Sequence, residues 1–385
     1  MGSERRARRL ALAAVMAAAL SSCGGGGAGP GPEHLVRELA APSTTAAPAE
    51  APTDGGADTE ASTEAGAATD PPASAPPAPP STPPPTVAAA AATPTVPLAT
   101  PPAPVRPPLA VTASKPNRVV GDIAPYAGLG TWVDVYDWSH YHDTTPTVGP
   151  EQVDQMASVG VQTLFLQTAK HDTPDLIAEP DLLIPIIDRA HARGIKVVAW
   201  YLPTLEDVDN DLNRLVASAN LDVDGLAVDI ESRKIPDANE RSMRLVDLST
   251  RLRQALPGRA IGAIVMPPVQ MEVVNPNFWP GFPWQQISDK YDVWQTMGYW
   301  TDRKESSGYR DPYRYTDENI RRLRADLGNA EAPVSPVGGV GGMGNGDIEA
   351  FLRAAAENAA IGGSIYDFRT TRPEAWPALR GFRTT

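Results

Sequence analysis

Two carboxylates in one short segment carry the strongest chemical signal in the chain. In Asp224-Gly225-Leu226-Ala227-Val228-Asp229-Ile230-Glu231 a period of two separates Leu226, Val228 and Ile230 from Ala227, Asp229 and Glu231. Read as a strand, the first set faces covering helices and the second faces an interior, with Glu231 nearest the strand's C-terminal end. Two acids on one inward face repel each other and resist burial. Both effects raise the carboxyl pKa of one member, which is the preparation a general acid requires. The plainer alternative is that Asp229 pairs with an arginine or a hydroxyl and Glu231 is solvated at a rim.

Other groups could join such a site. Asp134 alternates with Val133 and Val135, so it is expected to face inward with Trp132 and Tyr136, while Asp137 closes the same run. Asp367 ends Ser364-Ile365-Tyr366-Asp367 near the C-terminus. His140-Tyr141-His142 follows the first run, where metal-dependent amidohydrolase barrels carry an H-x-H ligand pair. A zinc site needs further ligands, often histidines, and His171 and His191 fall elsewhere in the pattern. The expected metal is therefore none, and His140 and His142 read as loop residues. Gly338-Gly339-Val340-Gly341-Gly342-Met343-Gly344 lacks the Lys and Ser/Thr of a phosphate loop and reads as a rim loop.

The elements that must position these residues alternate along the chain. Expected strands are Gly128 to Trp138, Val161 to Thr168, Lys196 to Pro203, Gly225 to Glu231, Ala260 to Pro267, Asp292 to Trp300, Pro333 to Val340 and Gly363 to Phe368. Amphipathic helices are expected at Glu151 to Ser158, Asp181 to Arg193, Val208 to Ala219, Asn239 to Leu256, Glu318 to Leu327 and Asp347 to Ala359. Gly160, Gly194, Gly258 and Gly328 are read as helix stops. Eight such units in the residues from 118 onward predict an α/β fold, a (β/α)8 TIM barrel of the usual size of about 250 residues. An open doubly wound sheet is the second choice, weakened by the lack of a G-x-G-x-x-G turn after the first strand.

What precedes the barrel is of another kind. Every one of the chain's 8 Trp, 10 Tyr and 6 Phe residues lies beyond Asn117, and the stretch from Gly24 to Asn117 is rich in Pro, Ala, Thr and Gly. Such a stretch cannot bury enough apolar surface to offset its chain entropy, so a disordered tether is expected. Arg5, Arg6, Arg8 and Arg9 followed by the apolar run Leu10 to Leu20 make a signal peptide, too short for the ~20 residues of a membrane span. Leu20-Ser21-Ser22-Cys23 resembles a bacterial lipobox, and Cys23, the single cysteine, is the expected lipidation site. The domains are thus a signal peptide (1–22), a tether (23–117) and the barrel (118–385). The net charge of −13 disfavours nucleic acid as a partner. No cofactor is implied.

On the fourth expected strand, Asp-Gly-Leu-x-Val-Asp-x-Glu is similar to the signature of family 18 glycoside hydrolases, the chitinase-like barrels. The resemblance puts Asp229 on that family's final Asp and Glu231 on its proton donor. On the sixth, Gln295-Thr296-Met297-Gly298-Tyr299 resembles the family's Gln-x-Met-x-Tyr, whose tyrosine helps hold the substrate's N-acetyl group. Two positions depart from the pattern: Ala227 stands for the first inward Asp, and Trp300 for the Asp after the tyrosine. The resemblance implies a glycoside hydrolase acting on a polysaccharide or cell-wall glycan, with Glu231, Asp229 and Tyr299 in catalysis, and the lipobox adds the expectation that it is lipid-anchored and extracytoplasmic. Trp138, Trp200, Trp300 and Tyr366, near strand ends, are the expected sugar platforms, joined by Gln295, Asp367 and Asp134. A second acid would stand about 5 Å away for a retaining course, or roughly 6.5 to 9.5 Å for an inverting one. A barrel that binds glycans without cleaving them is the alternative that Ala227 favours.

Overall fold

The computed structural model describes residues 121–340 and 343–384. The signal peptide, Cys23 and the tether lie outside these residues. Eight parallel strands run in the order β6-β5-β4-β3-β2-β1-β8-β7. They are β1 (Gly128–Val133), β2 (Thr163–Gln167), β3 (Lys196–Tyr201), β4 (Gly225–Ile230), β5 (Ile261–Val265), β6 (Val293–Thr296), β7 (Val337–Val340) and β8 (Gly362–Tyr366). Parallel bridges Trp294↔Val334 and Met297↔Val337 join the β6 side to the β7 side and close the circle. The fold is a (β/α)8 barrel, as the alternation predicts.

Helices cover the outside: α1 (Val135–Trp138), α2 (Pro150–Val159), α3 (Pro180–Ala192), α4 (Val208–Ala219), α5 (Ala238–Ala255), α6 (Trp284–Ile287), α7 (Pro312–Leu327), α8 (Asn345–Glu357) and α9 (Trp376–Leu379). Their starts are written in the sequence. Asp207, Asp237 and Asp311 each accept a hydrogen bond from the backbone N–H three residues on, which satisfies a donor the first turn leaves orphaned. Gly160 (φ 95°) and Gly328 (φ 63°) end α2 and α7 in the left-handed region. Gly258 does not act as a stop, since α5 already ends at Ala255.

Inward residues fill the barrel in layers. At the floor, the Tyr126 hydroxyl lies 2.7 Å from the Leu226 carbonyl and 3.0 Å from that of Ala260, and accepts from the Leu226 N–H at 3.0 Å. Above it, Trp132 stacks on Phe165 with centroids 4.3 Å apart and meets Trp200 edge-on at 6.0 Å. A glycine at 130 makes room: a Cβ there would stand 2.6 Å from the Phe165 ring.

At the C-terminal ends of the strands, β1 and β6 depart furthest from expectation. β1 stops at Val133, because the Asp134 side chain accepts from the Tyr136 N–H at 2.9 Å and opens α1. β6 stops at Thr296, where tight backbone turns carry Tyr299 and Trp300 out of the alternation.

Candidate active site

β4 delivers the acid pair as its alternation requires. Leu226, Val228 and Ile230 are buried on the outside, and Asp229, 6 % exposed, lies on the inner face with Ala227. Glu231 follows the strand's last residue and is half-buried. Burial pushes the Asp229 carboxyl well up, and the neighbouring Glu231 charge adds to it. Glu231 is pushed up to about 7 by burial. Lys170 opposes both shifts with its positive charge.

Lys170 stands three residues beyond β2, a position no motif marks. Its Nζ lies 3.5 Å from the Tyr136 hydroxyl and 5.1 and 5.2 Å from the ring centroids of Tyr136 and Tyr141. Burial pulls its pKa down, and Asp172, Asp134, Asp229 and Glu231 pull it back. The Tyr141 hydroxyl in turn donates to Asp172 at 2.7 Å.

A second acidic group faces the same mouth. Tyr366, at the end of β8, donates to Asp134 Oδ2 at 2.8 Å, and its ring lies 6.0 Å from Tyr299 and 6.4 Å from Trp132. Asp134, Asp137 and Asp367 each offer an oxygen within 4.8 Å of the others. Among the described residues this is the one such acidic cluster, and each member stood singly in the sequence pattern. Asp137 is pushed up to about 7 by burial and by Asp134 and Asp367, against the Arg369 guanidinium 2.7 Å away. The Tyr299 phenol is raised well above its usual value, by burial first and then by the charges of Glu231 and Asp229. It therefore stays a hydrogen-bond donor.

Other expected residues lie elsewhere. Trp138 is 1 % exposed and donates its indole N–H to the Gln167 carbonyl at 3.0 Å. Trp300, also 1 % exposed, packs against Phe351 with centroids 5.2 Å apart. Neither can form the wall of an open groove, because both turn toward the helices where their strands break. Gln295 is fully buried inside the barrel. A Cβ placed on Gly262 would stand 2.8 Å from Gln295 Oε1 and 3.3 Å from the Ala227 Cβ, so the carboxamide and Ala227 share one crowded spot. Trp200 does face inward, while Tyr201 points out to Asp211. His140 pairs with Glu179 at 2.8 Å and His142 stacks on Tyr136, so the two imidazoles do not converge on one point.

No family model matches the chain, and no curated protein sequence matches it. Solved structures are similar in fold at low identity. The spore cortex-lytic enzyme of Bacillus cereus aligns with a TM-score of 0.49 and 10 % identity, covering 67 % of this chain and 74 % of its own. A family 18 chitinase from Cycas revoluta, solved with allosamidin, gives 0.49 and 11 %, covering 66 % and 99 %. A class V chitinase from Pseudomonas fluorescens gives 0.47 and 8 %, covering 66 % and 99 %.

Proposed function

We propose that the barrel hydrolyses glycosidic bonds in a polysaccharide or cell-wall glycan, and that the chain is a lipoprotein held at the cell surface through Cys23. The observation that carries the hydrolytic reading is the inward Asp229 and Glu231 pair at a barrel mouth, with Glu231 retaining its proton close to neutral pH. Barrel chemistry is done at the C-terminal ends of strands, where both acids stand. Glu231 protonates the leaving oxygen as the C–O bond breaks, and recovers its proton from the water that completes hydrolysis. Asp229 is its electrostatic partner, and the Tyr299 hydroxyl positions the sugar. Trp200 and Tyr366 offer apolar faces with polar edges, which suits the C–H faces of pyranoses.

The test is turnover by Glu231→Gln. A positioned acid supplies about 10² to 10⁴-fold in rate, so this change should remove most hydrolysis of a glycan with a poor leaving group, with sugar binding and folding retained. A binding module, the reading Ala227 favours, would show binding by the unaltered protein and no turnover on any polysaccharide, with Glu231→Gln inert.

A further inference from the structure

We infer that the glycan carries a carboxylate, and that the Lys170 ammonium, with the Trp200 indole N–H, receives that group on the β2 to β4 side of the mouth. The inference deepens the glycosidase reading and rests on it. Its first support is how Lys170 is held. Its Nζ lies over the rings of Tyr136 and Tyr141, which meet edge-on with centroids 5.1 Å apart, and His142 packs on Tyr141 at 4.2 Å. These rings fix the cation without neutralising it. Among the described residues its one hydrogen bond is the 3.5 Å contact with the Tyr136 hydroxyl, and no carboxylate of those residues is ion-paired with it. An ammonium has three donors, so two are left for a ligand. The nearby acids are occupied otherwise: Asp172 accepts from the Tyr141 hydroxyl at 2.7 Å and Asp134 from the Tyr366 hydroxyl at 2.8 Å. With Asp229 and Glu231, they reach Lys170 through space only.

Position gives the second support. Lys170 stands three residues beyond Gln167, the end of β2, and Gln167 pairs with Trp200 on β3, which pairs in turn with Ala227 on β4. Asp229 is the next residue on the face of Ala227. Three neighbouring strands thus bring Lys170, Trp200 and Asp229 to one side of the mouth. Unpartnered atoms are the third support. Trp200 faces inward and is 5 % exposed, yet its Nε1 has no partner within the protein, and the buried Asp229 Oδ1 has none either. Buried polar atoms of this kind are costly unless a partner reaches them. The nitrogens can only donate, and the Asp229 carboxyl also donates while burial keeps its proton in place. A carboxylate, which only accepts, matches that set. A hydroxyl would meet single donors but leave the half-buried ammonium desolvated without a counter-charge.

Calorimetry on the full chain carrying Glu231→Gln, which suppresses turnover, compares carboxylated glycans with their own reduced forms near neutral pH. One probe is cell-wall glycan strands stripped of peptide, whose lactyl ethers end in carboxylates, and the other is a hyaluronan oligomer, which carries uronates. Each is paired with the same glycan after chemical reduction of the carboxylates to alcohols. In at least one pair the carboxylated form should bind at least about ten-fold tighter, a preference of the size that one charge-assisted contact supplies. The pair that shows it tells a lactyl ether from a uronate. Lys170→Met should shrink that preference to under about three-fold and leave the reduced glycan's affinity unchanged. If Lys170→Met fails to fold, Lys170→Gln carries the same comparison, and if that also fails the glycan pairs decide alone. Equal or tighter binding of the reduced form in both pairs overturns the inference, as does a preference that survives the loss of the Lys170 charge. Glu231-dependent turnover of a neutral glycan then leaves the glycosidase reading standing. Failure to bind any of these glycans and to cleave any other removes both readings together.

Discussion

A carboxylic acid that must protonate a leaving oxygen near neutral pH has to keep its proton there, and for Glu231 burial does this against the pull of Lys170. The acid form is the active one, so kcat/KM should fall as pH rises through about 7. Removing the opposing cation sharpens the point. Lys170→Met should move this falling limb to higher pH, by up to about one unit, because Glu231 and Asp229 then hold their protons more tightly. A profile of the variant that shifts to lower pH, or does not move, would show that Lys170 does not act on the pair. Asp229 and Glu231 could be read from their alternation with Leu226, Val228 and Ile230. Lys170 could not, because one lysine in a loop has no period and no motif, and its role exists only once β2 stands beside β1.

The elements themselves were readable where propensity and capping agree. Asp207 before Val208 and Gly328 after Leu327 mark helix limits from local chemistry alone. They were unreadable where alternation runs on past a cap: Val133, Asp134, Val135, Tyr136 continue the strand's pattern, yet Asp134 bonds the Tyr136 N–H and starts a helix. The same kind of break after β6 sends Trp300 into the helical layer. α7 begins at Pro312 rather than Glu318, since its first turns carry Tyr315 and Thr316 inward and blur the apolar periodicity. At this scale Tyr126 is the sharpest stability probe. Tyr126→Phe strips the floor of its hydroxyl and leaves buried backbone groups of Leu226 and Ala260 without that partner. Urea denaturation should report a loss of about 1 to 3 kcal/mol. Because the floor lies at the opposite end of the strands from the mouth, turnover by the folded fraction should be unchanged.

For the whole molecule, the count of eight strand and helix units specified the barrel, because closure asks only for repetition and inward apolar faces. The layout of the mouth was less readable, since it is set by where each strand stops. Location is a separate matter that composition addresses. Each buried CH₂ of an acyl chain contributes ~0.8 kcal/mol to membrane affinity, so Cys23→Ala should move the protein from the membrane fraction to soluble or unprocessed forms. Retention on membranes after correct signal cleavage would falsify the lipobox assignment. The floor has a mechanical side as well. Tyr126 belongs to the segment that leads into β1, yet its hydroxyl is fastened to the backbone at Leu226, in β4, and at Ala260, beside β5. Tension arriving along the chain from residue 121 therefore meets a latch across the barrel's diameter before it reaches the β1 ladder. Such a load would fall first on the floor, at the end of the barrel away from the acid-lined opening.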